Sequence, residues 1–171
     1  MKKSAIFILC LALIVTMIGC GGKTSEEATP AKETKADETK AAQGKTYECE
    51  DFTMTLASDW EASPQTMGMV NVLPKGKTSP GLYFKFEGKG NAVGTAETSI
   101  NTMINNYNGS PMESATIGNV EFKSTTYAYS GMTQTMCVAF REGTKITITL
   151  EGVGAKDNPD IKTMLSTVNF K

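Results

Sequence analysis

Short runs in which apolar and polar residues alternate constrain this chain more than any other feature. Phe52, Met54 and Leu56 alternate with Thr53 and Thr55, and Leu82, Phe84 and Phe86 with Tyr83, Lys85 and Glu87. Met136, Val138 and Phe140 form a third set, and Ile146-Thr147-Ile148-Thr149-Leu150 a fourth. A period of two sends successive side chains to opposite faces of a pleated strand, so each run reads as a strand with one buried face. Met67-Gly68-Met69-Val70-Asn71-Val72-Leu73 adds a strand that Pro74 stops. Thr116-Ile117 turns at Gly118-Asn119 into Val120-Glu121-Phe122, which continues through Tyr127-Ala128-Tyr129 to Ser130-Gly131, and Glu142-Gly143 makes a hairpin turn.

Two segments carry the helical period instead. Ala96, Ile100, Met103, Ile104 and Tyr107 fall on one stripe, with Thr95 as N-cap and Asn108-Gly109 as the stop. Asn158-Pro159 opens a final helix with Ile161, Met164, Leu165 and Val168 on one face. The order is three strands, a helix, a meander of three or four strands, and a helix. It predicts an α+β domain: an antiparallel sheet of six to seven strands with helices packed on its faces.

Residues 21–45 contain no Leu, Ile, Val, Met or aromatic residue. Nothing there repays the entropy of ordering, so a disordered linker is expected, spanning about 25–30 Å as a flexible coil. Ahead of it stand Lys2-Lys3, an apolar run from Ala5 to Ile18, and Gly19-Cys20. That run suits a signal-peptide core and is short for a membrane span. The stretch resembles a bacterial lipoprotein signal with a lipobox ending in Gly-Cys, although Met17 stands where the pattern prefers Leu. The resemblance implies that residues 1–19 are removed and that Cys20 becomes the first mature residue. Its thiolate would take a diacylglyceryl group, and its freed amine a further acyl chain. Several chains hold a protein where one would bind marginally. The expected organisation is therefore signal peptide 1–19, lipid anchor and linker 20–45, and one domain over 46–171. The expected site is the extracytoplasmic side of a membrane. Cys10 is no rival to Cys20, because bulky Leu9 precedes it.

Composition narrows the chemistry. The chain has 17 basic and 18 acidic residues, net −1, and no histidine. Without histidine the usual general base, the usual metal ligand and the hydrolytic triad are all missing. Arg141 is the sole arginine, and the domain is mildly acidic, which disfavours nucleic acid as a partner. Cys49 and Cys137 remain in an exported domain. They read as a disulfide pair or as two buried free thiols, and no C-x-x-C spacing points to metal or redox work.

Phe52-Thr-Met-Thr-Leu-Ala-Ser-Asp-Trp60, the Gly118-Asn119 turn, the Glu142-Gly143 hairpin and the closing Ile161…Met164-Leu165-Ser166-Thr167-Val168-Asn169-Phe170 resemble the PsbP-like α/β/α sandwich. That fold is shared by an extrinsic photosystem subunit, by DcrB-type bacterial lipoproteins and by a Ran-binding nuclear-import factor. The residues that carry the resemblance are structural, so it implies a fold. The metal-associated residues of the photosystem subunit include histidine, and none is carried over.

Other constellations have plain readings beside sharper ones. Gly88-Lys89-Gly90-Asn91-Ala92-Val93-Gly94-Thr95 lies between a strand and a helix, but its spacing fits neither the dinucleotide nor the Walker pattern, and a flexible connector is expected. Met67, Met69, Met132 and Met136 evoke a soft copper site, with core filling as the plainer role. Glu151, Asp157 and Asp160 lack calcium-loop spacing. Tyr127 and Tyr129 are either a recognition patch or core. Asn108-Gly-Ser110 reads as a turn. The leading expectation is a non-enzymatic, membrane-anchored binding or accessory module without cofactor, meeting an envelope protein partner through a sheet face or rim loops. The alternatives are a small-ligand or metal carrier for a membrane transporter, and a hydrolase using carboxylates such as Asp59, Glu61 or Glu151. Replacing Cys20 with Ala is expected to move the protein from the membrane fraction to the soluble fraction; retention in the membrane would contradict the anchor.

Overall fold

The computed structural model describes residues 44–171; the signal, Cys10, Cys20 and almost all of the linker lie outside the described residues. Strands β1 (Thr46–Glu48) and β2 (Phe52–Thr55) come first, then β3 (Trp60–Gln65), β4 (Met69–Pro74) and β5 (Gly81–Glu87). Helix α1 (Ala96–Tyr107) leads to β6 (Glu113–Ile117), β7 (Val120–Tyr129), β8 (Met132–Arg141) and β9 (Thr144–Glu151). A 3₁₀ turn at Ala155–Asp157, helix α2 (Pro159–Ser166) and β10 (Asn169–Phe170) close the chain. The domain is α+β, as expected.

The main sheet has seven antiparallel strands in the order β3-β4-β5-β9-β8-β7-β6. It is made of two hairpin systems, β3–β5 and β6–β9, joined where β5 pairs with β9. Its inner face supplies Val72, Leu82, Phe84, Phe122, Ile148 and their neighbours to one continuous core. Three-stranded β1-β2-β10 and α2 cover that face. Phe52 of β2 stacks on Phe84 with ring centroids 4.4 Å apart and lies 5.7 Å from Phe86. Ile161 and Met164 of α2 are fully buried in the same core.

Local signals set the helix ends. Thr95 caps α1 by accepting from the Thr98 N–H at 3.1 Å, and Asn108 ends the helix in the left-handed region that its side chain tolerates. Asn158 caps α2 by accepting from the Ile161 N–H at 3.0 Å, with Pro159 in the first turn. Buried Trp60 donates its indole N–H to Asp160 at 3.2 Å, fastening the start of β3 to the start of α2. At Gly118, φ is +59°, and a Cβ there would run into the Val168 carbonyl, so the turn after β6 requires glycine.

The sequence reading needs two corrections. The Phe52 run belongs to the small sheet, not to the main one, because alternation reveals a buried face without naming the sheet that owns it. Trp60–Gln65 is a strand, although it carries Pro64 and buries only Trp60. Proline is tolerated there because β3 is an edge strand. Phe52→Ala is expected to cost about 3–5 kcal/mol in urea denaturation; a loss under about 1 kcal/mol would show that the small sheet does not share the core.

Candidate functional site

The chain leaves β5 next to β9 and re-enters the main sheet at its far edge, β6. Helix α1 makes this crossing over the outer face. It packs on β7 and β8 and leaves the outer side of β9, β5 and β4 without a helix. The Gly88–Thr95 segment fixes where the helix starts. Ala92 donates its N–H to the Gly143 carbonyl at 2.6 Å, and a Cβ on Gly143 would collide with Gly90. Lys89 reaches Glu50 at 3.0 Å and Asp51 at 3.1 Å. The segment is a connector, docked on the β8–β9 hairpin.

Between the inner edge of α1 and the uncovered strands runs a groove of about 590 Å³. The volume is typical of small-molecule sites, which run about 300–1,000 Å³. Its floor holds Tyr83 and Lys85 of β5, Thr147 and Thr149 of β9, Met69 of β4 and Met136 of β8. Its wall is one stripe of α1: Thr95, Thr98, Ser99, Thr102 and Met103. The stripe exists because these positions recur every three to four residues.

The wall is less polar than its composition. Thr95 and Thr98 share a hydrogen bond at 3.0 Å, Ser99 donates to the Thr95 carbonyl at 3.1 Å, and Thr102 donates to the Thr98 carbonyl at 2.9 Å. Such back-bonding satisfies hydroxyls within the helix. The floor differs. Thr147, only 8% exposed, and Thr149 have no side-chain hydrogen-bond partner among the described residues. One strand further out, opposite Tyr83, the buried Asn71 Oδ1 also lacks a partner.

Charge gathers at one end. Glu87 faces Lys85 at 2.7 Å and Lys145 at 3.8 Å, and the Lys85 hydrogen bond holds its carboxyl below the usual range. One carboxylate between two ammonium groups leaves an unbalanced positive charge. Toward the other end, burial, and after it the charge and hydrogen bond of Glu151, raise the Tyr83 hydroxyl above its ordinary pKa.

The structure separates most of the constellations in the sequence. Met69 and Met136 line the same groove but stand three strands apart, about 14 Å at ordinary strand spacing, too far to share a copper ion. Met67 is exposed at a hairpin tip and Met132 at another. Glu151 accepts from Gln134 at 2.6 Å, Asp157 pairs with Lys162 at 3.0 Å, and Asp160 receives Trp60, so no shared ion site forms. Glu61 on β3 and Glu151 on β9 are three strands apart, and Asp59 is exposed beside Trp60. Tyr127 is buried and donates to Gln134 at 3.0 Å, while Tyr129 is 48% exposed and meets Tyr107 edge-on. The tyrosine pair is therefore half core and half surface. What the sequence reading missed is the groove, because its walls come from the two halves of the sheet.

Cys49 and Cys137 are free thiols in this structure, not a disulfide. Cys49, half-buried, lies in the β1–β2 turn, where its S–H donates to the Phe52 carbonyl at 3.6 Å. Cys137 is buried on the inner face of β8.

No protein-family model matches the chain, and no curated protein matches it. A solved structure from Bacteroides thetaiotaomicron is similar at TM-score 0.53 and 14% identity, over 75% of this chain and 49% of that one. LpqN, involved in cell envelope biogenesis of Mycobacterium tuberculosis, gives 0.43 at 11% identity, over 75% and 86%. The chain spans about half the length of the Bacteroides protein, and that likeness shows the fold alone. Membership of the PsbP-like or DcrB-like group has no family match behind it.

Burial pushes the Cys137 thiol up to about 12 from 9.0. A raised folded-state pKa gives stability that is complete below the unfolded value and is lost as pH rises through the folded one. Cys137 is thus expected to cost stability progressively as pH rises from about 9 toward 12. Cys137→Val should flatten that part of the alkaline denaturation profile, and an unchanged profile would contradict it.

Proposed function

We propose that this protein is a lipid-anchored, extracytoplasmic binding module that holds a small ligand in the groove between α1 and the main sheet. The carrying observation is the groove itself, with a helix wall whose hydroxyls bond within the helix and a floor that presents Thr147 and Thr149. Ligand sites are typically concave, mostly apolar, and furnished with a few convergent polar groups. The lipobox resemblance ending at Cys20 supports the anchor. The PsbP-like resemblance supports a lipoprotein of the DcrB type. Among the described residues no helix is long and apolar enough to cross a membrane.

The reading is non-enzymatic. The groove's titratable groups are Tyr83, Lys85, Glu87 and Lys145, and its one carboxylate is engaged by both lysines. Neither a nucleophile with an adjacent base nor a pair of facing carboxylates lines it. A cleft favours the carrier over a docking module that meets its partner on a flat sheet face.

Thermal-shift measurement of residues 21–171 against a panel of envelope metabolites tests this. A ligand at one hundred times its Kd is expected to add about 2.7 kcal/mol and to raise Tm by several degrees. Ser99→Trp, which fills the groove from the helix wall, should abolish the shift. A panel without a stabilising compound, or a shift that survives Ser99→Trp, would contradict the proposal.

A further inference from the structure

The groove's two ends differ in chemistry, and the difference names a ligand class. At one end, Lys85 and Lys145 share the single carboxylate of Glu87, at 2.7 and 3.8 Å. Lys145 is the looser partner and keeps ammonium donors for another acceptor. Apolar side chains flank this charge: Met69 of β4 stands opposite Lys85, while Met136 of β8, opposite Thr149, and Met103 of α1 line the far side of the groove. The methionine side chain is unbranched and polarizable and conforms to irregular apolar shapes. The hydroxyls along the wall are closed off by their own helix.

Two independent rulers give the same length. Glu87 to Tyr83 is four residues of strand, about 13 Å, and Thr95 to Met103 is eight residues of helix, about 12 Å. The charged end also carries apolar lips. Val93, in the groove mouth, is 92% exposed, and Met67 is 86% exposed at the β3–β4 tip, where Gly68 accepts from the Phe86 N–H at 3.0 Å. A water-soluble anion would have no use for such lips or for a methionine-lined interior. A neutral apolar molecule would leave the excess ammonium charge unmatched.

Resting on the binding reading above, we infer that the groove takes an amphiphile with one acidic head group and an apolar body, of which about 12–13 Å in all lies within the groove. The head sits between Lys85 and Lys145. The apolar body lies against Met103 and Met136, with Met69 flanking the head from β4, and Thr147 offers its hydroxyl from the floor. A carboxylate and a phosphate monoester satisfy the lysines alike, so a fatty acid and a single-chain lipid phosphate are the two sources of this chemistry.

Titration calorimetry of residues 21–171 with dodecanoate and dodecyl phosphate below their micelle concentrations, and with dodecanol below its solubility limit, tests the assignment. All described core residues lie between Phe52 and Phe170, so this stretch carries its whole core. Either acid, or both, should bind one per chain, and whichever binds more tightly identifies the source. Dodecanol should bind roughly tenfold more weakly, the value of one charge-assisted hydrogen bond. The double variant Lys85→Gln/Lys145→Gln should weaken the acids by a similar factor and leave dodecanol unchanged. Glu87→Gln removes the competing carboxylate and should tighten the acids, a change opposite in sign to that of general destabilisation. If all three probes bind alike and neither lysine nor glutamate variants matter, while Ser99→Trp still blocks them, the acidic-head assignment is overturned and the binding site stands. If no probe binds, or Ser99→Trp leaves binding intact, the amphiphile inference is overturned outright.

Discussion

A seven-stranded sheet has two faces, and this domain closes them unequally. The inner face is sealed by a second sheet and α2 around the Phe52–Phe84 stack, with Phe86 and Phe170 alongside. The outer face receives one helix of twelve residues. A single helix is about 10–12 Å across with its side chains, which covers two strands and not seven. The exposed half of that face is therefore a consequence of topology. Once the chain must cross from β5 to β6, the helix lands on β7 and β8, and a groove opens beside it.

That asymmetry explains why the strands differ in composition. β5 and β9 alternate strictly, because their inner residues meet the core and their outer residues meet the groove. β8 departs from the alternation expected of it: Met136 and Val138 lie on the outer face, not in the core. Cys137 and Ala139 face the core while Val138 lies under α1, so the strand is apolar on both sides where a helix covers it. Small residues on its inner face leave room for the helix and sheet that pack there. The charged outer side chains of β5 and β9, Lys85, Glu87 and Lys145, are stable because they stand at the groove's wet end.

The most legible parts of the sequence were the local ones. Thr95, Asn108 and Asn158 act within one turn of helix, and each sits at the end it marks. Glu142-Gly143 turns the chain between β8 and β9, as its residue types require. Assignments that depend on distant pairing were not legible. Nothing near Phe52 says that its partners are Thr46–Glu48 and Phe170 rather than the main sheet, and nothing near Trp60 marks an edge strand. The groove is of this second kind. Met69 and Met136 read as core filler, and only the β5–β9 pairing shows that they line one cavity.

On the proposed reading the outer groove, and no other surface, receives the ligand. Methyl-labelled methionine resonances test it directly, because the chain's methionines sample every surface in question. On addition of dodecanoate, Met69, Met103 and Met136 should shift, while core Met54 and Met164 and exposed Met132 stay still. Shifts centred on Met132 or on the core pair, with the groove methionines unmoved, would contradict it.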